Sequence, residues 1–373
     1  MRLAALTCSA LLLLAACGQD TDTSSLGEAS PIEPIAVAAA DQLTGLGAPA
    51  TGIAFWTHPN VAFNSLMIIA GADGVASFNI EDGNEVSRIP GVNAEGAAIS
   101  YIGFGPLARG LLAYFDADAG AMKIHEIDNA VRSFKPVTGD IPIRGAVRGF
   151  CFGRAADAEG PTLVVLKRGE LTRYAFRLEN ATLTAKASVS ETAPDDIISC
   201  AIDSEDGAVF IARENGAVHR IGADGQGALF AKADAEQPGH LAVLLSEVMT
   251  DETSSVSGQV ILLDKSNGAI HSFNRDDGAP LGAVSIGEAF EIEAVNSADV
   301  MGVASANLGA LYRNGAIALG LTGADGAGAI RLIPANGLIN ALGITDGTPL
   351  SPRGAIPESD DDGLLIRTNV RPE

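Results

Sequence analysis

An all-β chain folded as a six-bladed β-propeller is the class this sequence predicts, and three observations predict it. Two apolar or β-branched runs joined by a glycine turn recur six times between Thr51 and about residue 345. Taking the turn glycines as Gly74, Gly120, Gly169, Gly216, Gly268 and Gly328, the steps are 46, 49, 47, 52 and 60 residues, the length of one four-stranded blade. Composition agrees, because 47% hydrophobic residues and 43 glycines with only 5% aromatics suit many short buried strands and tight turns. An ordinary β-sandwich would not need six similar hairpins.

The chain opens on a processing signal. Arg2 supplies a positive end, Leu3 to Leu14 an apolar run too short to span a bilayer, and Leu14-Ala15-Ala16-Cys17 matches the bacterial lipobox. Residues 1–16 are therefore expected to leave as a signal peptide and Cys17 to carry lipid, with a plain signal peptide as the alternative. Gly18 stands where an inner-membrane retention aspartate would, so the expected location is the outer membrane. Residues 17–50, rich in Ser, Thr, Ala, Pro and acids without an apolar period, are expected to form a flexible tether.

The propeller is expected over 51–345. Its opening stretch runs Gly52-Ile53-Ala54-Phe55-Trp56-Thr57-His58-Pro59 and then Leu66 to Gly83, and holds the only tryptophan. The later hairpins pair 111–115 with 122–127, 163–167 with 170–176, 208–212 with 217–221, 260–263 with 269–273, and 316–319 with 329–333. In each, the first run is nearly all apolar and the second alternates, as expected of an inner strand buried on both faces and an outer strand with one wet face. Residues 346–373 read as an acidic tail. Its run Glu358-Ser359-Asp360-Asp361-Asp362 suits a solvated segment or a calcium site, and 364–370 suits one closing strand.

A net charge of −22 argues against nucleic acid or an anionic membrane as a direct partner, so membrane attachment is expected only through the lipid. With Cys8 removed and Cys17 lipidated, Cys151 and Cys200 remain in an oxidising compartment, either as one disulfide or as two separately buried thiols. His58 and His219 read as packed, hydrogen-bonded histidines, since neither has a second His or Cys at metal spacing. There is no phosphate-cradling glycine loop, nucleophile elbow or paired Cys-x-x-Cys.

Several stretches together resemble the β-propeller phytases, six-bladed, calcium-dependent phosphomonoesterases that act on inositol hexakisphosphate. They are Trp56-Thr57-His58-Pro59, the following Ser65 to Gly71, Gly149-Phe150-Cys151-Phe152, Gly207 to Glu214, Leu308-Gly309, and Asn314 to Ile317. The resemblance implies several calcium ions held by carboxylates, one bridging the attacking water, with lysines and arginines on the phosphates. Carried over residue by residue, it implies Glu95, Glu214 and Asp299 as metal ligands and Lys167 and Arg148 as phosphate binders.

Many positions depart from the family pattern. Thr51-Gly52-Ile53 replaces two carboxylates and a proline, Gly74 follows Asp73 where a lysine pair belongs, and Ala97 and Ala117 occupy arginine positions. Arg148 replaces a tyrosine, Ile198 a glutamate, and Asp299 is out of register. Asp234-Ala235-Glu236 has the spacing of a fifth-blade acidic pair but sits several residues early, while Glu291 and Glu293 read as solvated residues at strand ends. The expectation is a divergent member that has exchanged hydrolysis for binding a phosphorylated small molecule or an envelope protein. The alternative is a phosphoesterase rebuilt around Glu95, Arg148, Lys167 and Glu214, and no residue is assigned as catalytic.

Overall fold

The computed structural model describes residues 32–354, apart from 156, 157, 159, 181, 223–226, 250–253 and 346. Six small antiparallel sheets stand in a ring as a six-bladed β-propeller. From the axis outwards, blade 1 comprises Ala50–Trp56, Leu66–Gly71, Gly74–Asn79 and Glu85–Pro90, and blade 2 Ala94–Ile102, Arg109–Asp116, Ala121–Ile127 and Phe134–Pro136. Blade 3 is Val147–Gly153, Thr162–Lys167, Glu170–Glu179 and Thr182–Thr192, and blade 4 Ile197–Ile202, Val209–Arg213, Ala217–Ile221 and Gly227–Lys232. Blade 5 is Pro238–Met249, Ser254–Asp264, Ile270–Asn274 and Pro280–Gly287. Blade 6 takes three strands, Val300–Ala304, Ala316–Thr322 and Gly328–Pro334, from its own stretch of chain.

Its fourth strand comes from the other end of the protein. Asp41–Leu46 pairs antiparallel with Gly328–Pro334, and Ile35–Ala38 adds in parallel to the outer edge of blade 5. The second half of the expected tether is therefore part of the ring. Its sequence concealed this because both strands lie at sheet edges and expose most of their side chains, so neither shows a clean apolar period. At the other end, Thr348–Pro349 pairs with the innermost strand of blade 5. Cys17 and the run 358–370 lie outside the described residues.

The hairpins read from sequence are real, but they are the second and third strands of each blade rather than the innermost pair. The second strands are buried on both faces because neighbouring blades sandwich them. The innermost strands also face neighbours, and where six of them crowd one axis their closest approaches fall at glycine. A side chain at Gly52 would meet the Ala97 backbone nitrogen at 2.3 Å, and one at Gly96 would meet the Phe150 ring at 2.6 Å. In the sixth hairpin the positive-φ turn residue is Gly326 rather than Gly328, which begins the third strand.

Each junction between blades has its own apolar cluster. Phe55, Phe78 and Tyr312 join blades 6 and 1, while Trp56, Tyr101 and Tyr114 join blades 1 and 2. Cys151 and Cys200 form a disulfide with their α-carbons 5.6 Å apart, tying the innermost strands of blades 3 and 4. This decides between the two arrangements the sequence left open.

After Thr348–Pro349 the chain continues to blades 1–3. Arg353, 3% exposed, donates to the Thr57 carbonyl at 3.0 and 2.7 Å, to the Ala108 carbonyl and to Asn129 Oδ1, with Tyr101 and Trp56 rings 4.7 and 5.5 Å from its guanidinium carbon. Its own carbonyl accepts from Gly105 N and Arg154 Nη2. The start of the expected tail is thus a strap that pins blades 1–3 from below. A buried guanidinium is tolerable only because carbonyls and aromatic faces replace its water.

Two stability outcomes follow. Arg353→Ala is expected to cost about 2–4 kcal/mol, because it leaves the Thr57 and Ala108 carbonyls without their donor, and Arg353→Lys to recover only part of that. Urea unfolding of the three proteins measures it. The double variant Cys151→Ala/Cys200→Ala is expected to lose about 2–4 kcal/mol in the same assay, and an unchanged midpoint would show that the ring holds these strands without the bond.

Candidate functional site

The register of the innermost strands puts the candidate residues at one end of the ring. In each blade the innermost strand begins where the second ends: Ala50 opposite Gly71, Ala94 opposite Asp116, Val147 opposite Lys167, Ile197 opposite Arg213, Pro238 opposite Asp264, and Val300 opposite Gly320. This end, the upper face below, therefore collects Glu95, Arg148, Lys167, Glu214 and Asp299. A cavity of about 350 Å³ runs along the axis, walled by the innermost strands.

Five of the six innermost strands slip register at this mouth, at Thr51, between Glu95 and Ala98, at Arg148, at Ile198, and between Pro238 and Leu241. A bulge frees a residue from the ladder and re-aims its side chain. Thr51 Oγ1 donates to the Ala94 carbonyl at 2.6 Å, and Ser199 Oγ to the Gly239 carbonyl at 2.9 Å, so these bulges bridge to the next blade. Arg148, freed in the same way, faces the cavity.

Three titratable side chains line the cavity: Glu95, Arg148 and His240. Glu95 is exposed and accepts no hydrogen bond among the described residues. Arg148 Nη1 stands 3.8 Å from Glu214 Oε1, with 38% and 55% of the two side chains exposed. A pair this long and this wet contributes little, so a stronger anion displaces Glu214 cheaply. Lys167 is held closer, its Nζ 2.7 Å from Glu170 Oε2, and Arg213 Nε donates to Asp196 Oδ1 at 2.8 Å. Exposed Arg168 follows Lys167 in the same turn. Blades 3 and 4 thus gather four cations at the mouth of a strongly acidic protein.

The three carboxylates named as metal ligands are not drawn together. Glu214 faces Arg148, Asp299 Oδ2 accepts from Thr322 Oγ1 at 2.6 Å on blade 6, and Glu95 stands on blade 2. Among the described residues no three His, Cys, Asp or Glu side chains converge as a metal site. Calcium takes about 6–8 oxygens, and this donor set does not fit it. The Asp234-Ala235-Glu236 segment is organised from within, Asp264 accepting from the Glu236 and Gln237 amides at 2.9 and 3.1 Å. Glu291 and Glu293 are exposed on the connection between blades 5 and 6.

His58 lies at the other end of the ring. Its Nδ1 accepts from the Asn60 and Val61 amides at 3.2 and 3.0 Å, and its ring meets the Trp56 edge at 5.6 Å. Trp56-Thr57-His58-Pro59 therefore builds the loop under blade 1. His240 and Ser199 were not visible as site residues from sequence, because only the bulges bring them to the mouth.

Burial pushes the His240 imidazole down to about 4, with the Lys265 charge a smaller cause, and burial pushes His125, stacked on Tyr114 at 5.5 Å, to about 4 as well. Both are neutral when folded at neutral pH and gain a proton more readily when unfolded. Their contribution is complete above about pH 6.5 and is lost as pH falls towards 4, on the order of 1 kcal/mol each at pH 5. Melting curves across that window are expected to show a smaller fall for His240→Gln than for the unaltered protein.

No protein-family model and no curated protein matches this chain. Among solved structures it is similar to U3-55K, at 14% identity over 77% of this chain and 79% of that one, with a TM-score of 0.44. It is also similar to BBS1N, solved in complex with ARL6DN, at 10% identity over 76% and 79% of the two chains and a TM-score of 0.46. Likenesses this loose carry nothing about function.

Proposed function

We propose that this propeller is a divergent phytase-like protein that binds a small phosphorylated ligand at the upper mouth of its axial cavity and does not hydrolyse it through calcium. One observation carries the reading: a bulge aims Arg148 into the cavity beside Val147, the residue paired with Lys167. Two cations on adjacent strands suit the spread charge of a phosphate ester, which accepts several charge-assisted hydrogen bonds at once. Arg168 and Arg213 extend the same edge. The body is negative elsewhere, so a small anion is favoured over a polyanion that would meet the whole acidic surface.

In this reading the signal sequence and Cys17 deliver the propeller to the outer membrane as a lipoprotein, and the ligand is met in the cell envelope. The loss of acid at Thr51-Gly52-Ile53 and of basic residues at Ala97 and Ala117 removes the family's metal and phosphate groups from blades 1 and 2. Lys167 of the family pattern remains on blade 3, and Arg148, in place of a tyrosine, adds a second cation beside it.

Titration calorimetry with inositol hexakisphosphate in the presence of a calcium chelator tests this. The unaltered protein is expected to bind, and Arg148→Ala and Lys167→Ala each to weaken binding about 10–100-fold, the value of one charge-assisted hydrogen bond. Arg88→Ala, on the outer edge of blade 1, is expected to leave it unchanged. No binding, or phosphate release that requires calcium and is lost in Lys167→Ala, would overturn the proposal, the second outcome in favour of a rebuilt phosphoesterase.

A further inference from the structure

The axial cavity carries charges of both signs, Glu95 on its blade 2 wall and Arg148 on its blade 3 wall. The innermost strands that bear them stand side by side around the axis. The other acids beside the cations of blades 3 and 4 are engaged: Glu214 faces Arg148, Glu170 pairs with Lys167, and Asp196 with Arg213. Glu95 pairs with none of these cations and accepts no hydrogen bond among the described residues. It is an open carboxylate inside a cavity whose opposite charge is only loosely held.

The backbone explains how Glu95 comes to stand there. Its strand keeps register with Glu95 opposite Phe115 and resumes at Ala98 opposite Ala113, so Gly96 and Ala97 together face Tyr114 alone. A side chain at Gly96 would meet the Phe150 ring at 2.6 Å. That ring, half-buried and two residues beyond Arg148, therefore lies against the backbone next to Glu95 and lines the same cavity.

A lone carboxylate cannot hold calcium, which needs several more oxygens. A carboxylate beside an aromatic ring does suit an organic ammonium, since the oxygens accept its N–H groups and the ring face attracts its charge. His240, the third titratable group of the wall, is neutral at neutral pH and opposes neither charge. The charge of the whole body favours the same kind of ligand. A chain of net charge −22 repels a plain phosphate ester, whereas a ligand whose ammonium offsets its phosphate meets less of that field.

We infer that the ligand carries both signs, a phosphate and an ammonium joined by a short carbon chain, with the phosphate received by Arg148 and Lys167 and the ammonium by Glu95 beside Phe150. This inference rests on the phosphate-binding reading of Arg148 and Lys167. On binding, Arg148 exchanges Glu214 for the phosphate, and Glu95 gains the partner that the folded chain does not supply. Opposite charges on neighbouring strands also fix the direction of the ligand, phosphate towards blade 3 and ammonium towards blade 2. A cavity of about 350 Å³ has room for both ends of such a molecule.

Titration calorimetry with O-phosphoethanolamine and with n-propyl phosphate, its isostere with a methyl group in place of the ammonium, reads the ammonium subsite directly. The unaltered protein is expected to bind O-phosphoethanolamine about 5–10-fold tighter than propyl phosphate, the value of one wet ion pair together with a cation–π contact. Glu95→Gln is expected to remove most of that preference while binding propyl phosphate at least as tightly as before, with its melting point unchanged. Arg148→Ala is expected to weaken both probes alike. A third probe, sn-glycerophosphoethanolamine, carries the phosphodiester of a lipid headgroup. Whichever ethanolamine ester binds tighter assigns the source, and a preference lost in Glu95→Gln supports the inference with either. Equal affinity of the unaltered protein for the two isosteres, or a Glu95→Gln variant that keeps the preference or loses both probes together, would sink the inference and leave phosphate binding in place. Failure of every probe to bind would remove the phosphate reading and this inference with it.

Discussion

The structure depends on closing the ring. A blade is a sheet with two apolar faces, and neither is buried until a neighbour stands on each side. Blade 6 draws only three strands from its own stretch of chain, so its sheet is completed by Asp41–Leu46 from the N-terminal end. The chain ends then tie blades 5, 6 and 1 together, and the Arg353 strap ties blades 1–3.

Crowding at the axis shapes the site. Six innermost strands meet there, and small residues such as Gly52 and Gly96 let them approach. The ladders cannot stay regular at the mouth, where five of the six strands bulge. The bulges place polar side chains at the rim of a cavity whose wall is otherwise backbone and apolar side chains such as Phe150, Ile198 and Met301. The disulfide between blades 3 and 4 stiffens the part of that wall next to Arg148 and Ser199.

The two faces of this acidic protein differ in the side chains they expose. The upper mouth mixes cations with carboxylates in loose pairs, an arrangement a charged ligand can rearrange at little cost. Below, Leu311, Phe63 and Leu107 stand exposed at the loop tips of blades 6, 1 and 2, among the charged residues Arg313, Glu81 and Asp82.

The repeat of glycine-turn hairpins was legible in the sequence because strands buried on both faces must be apolar, and tight turns need glycine. That was enough for the fold class and for six blades. The innermost strands were less legible, since glycines at close approaches and bulges at the mouth break their period, and the edge strands 35–46 were hidden because solvent lets them be polar. Among the site residues, Arg148, Lys167 and Glu214 could be named from sequence, but not that Arg148 and Glu214 would pair or that Glu95 and Asp299 would stand apart on other blades. The sequence by itself determined a propeller and a set of charged residues at strand ends. Only the tertiary structure decided their register around the axis and the Cys151–Cys200 bond. The reason is that these depend on which blades become neighbours when the ring closes, a relation between residues far apart in the chain.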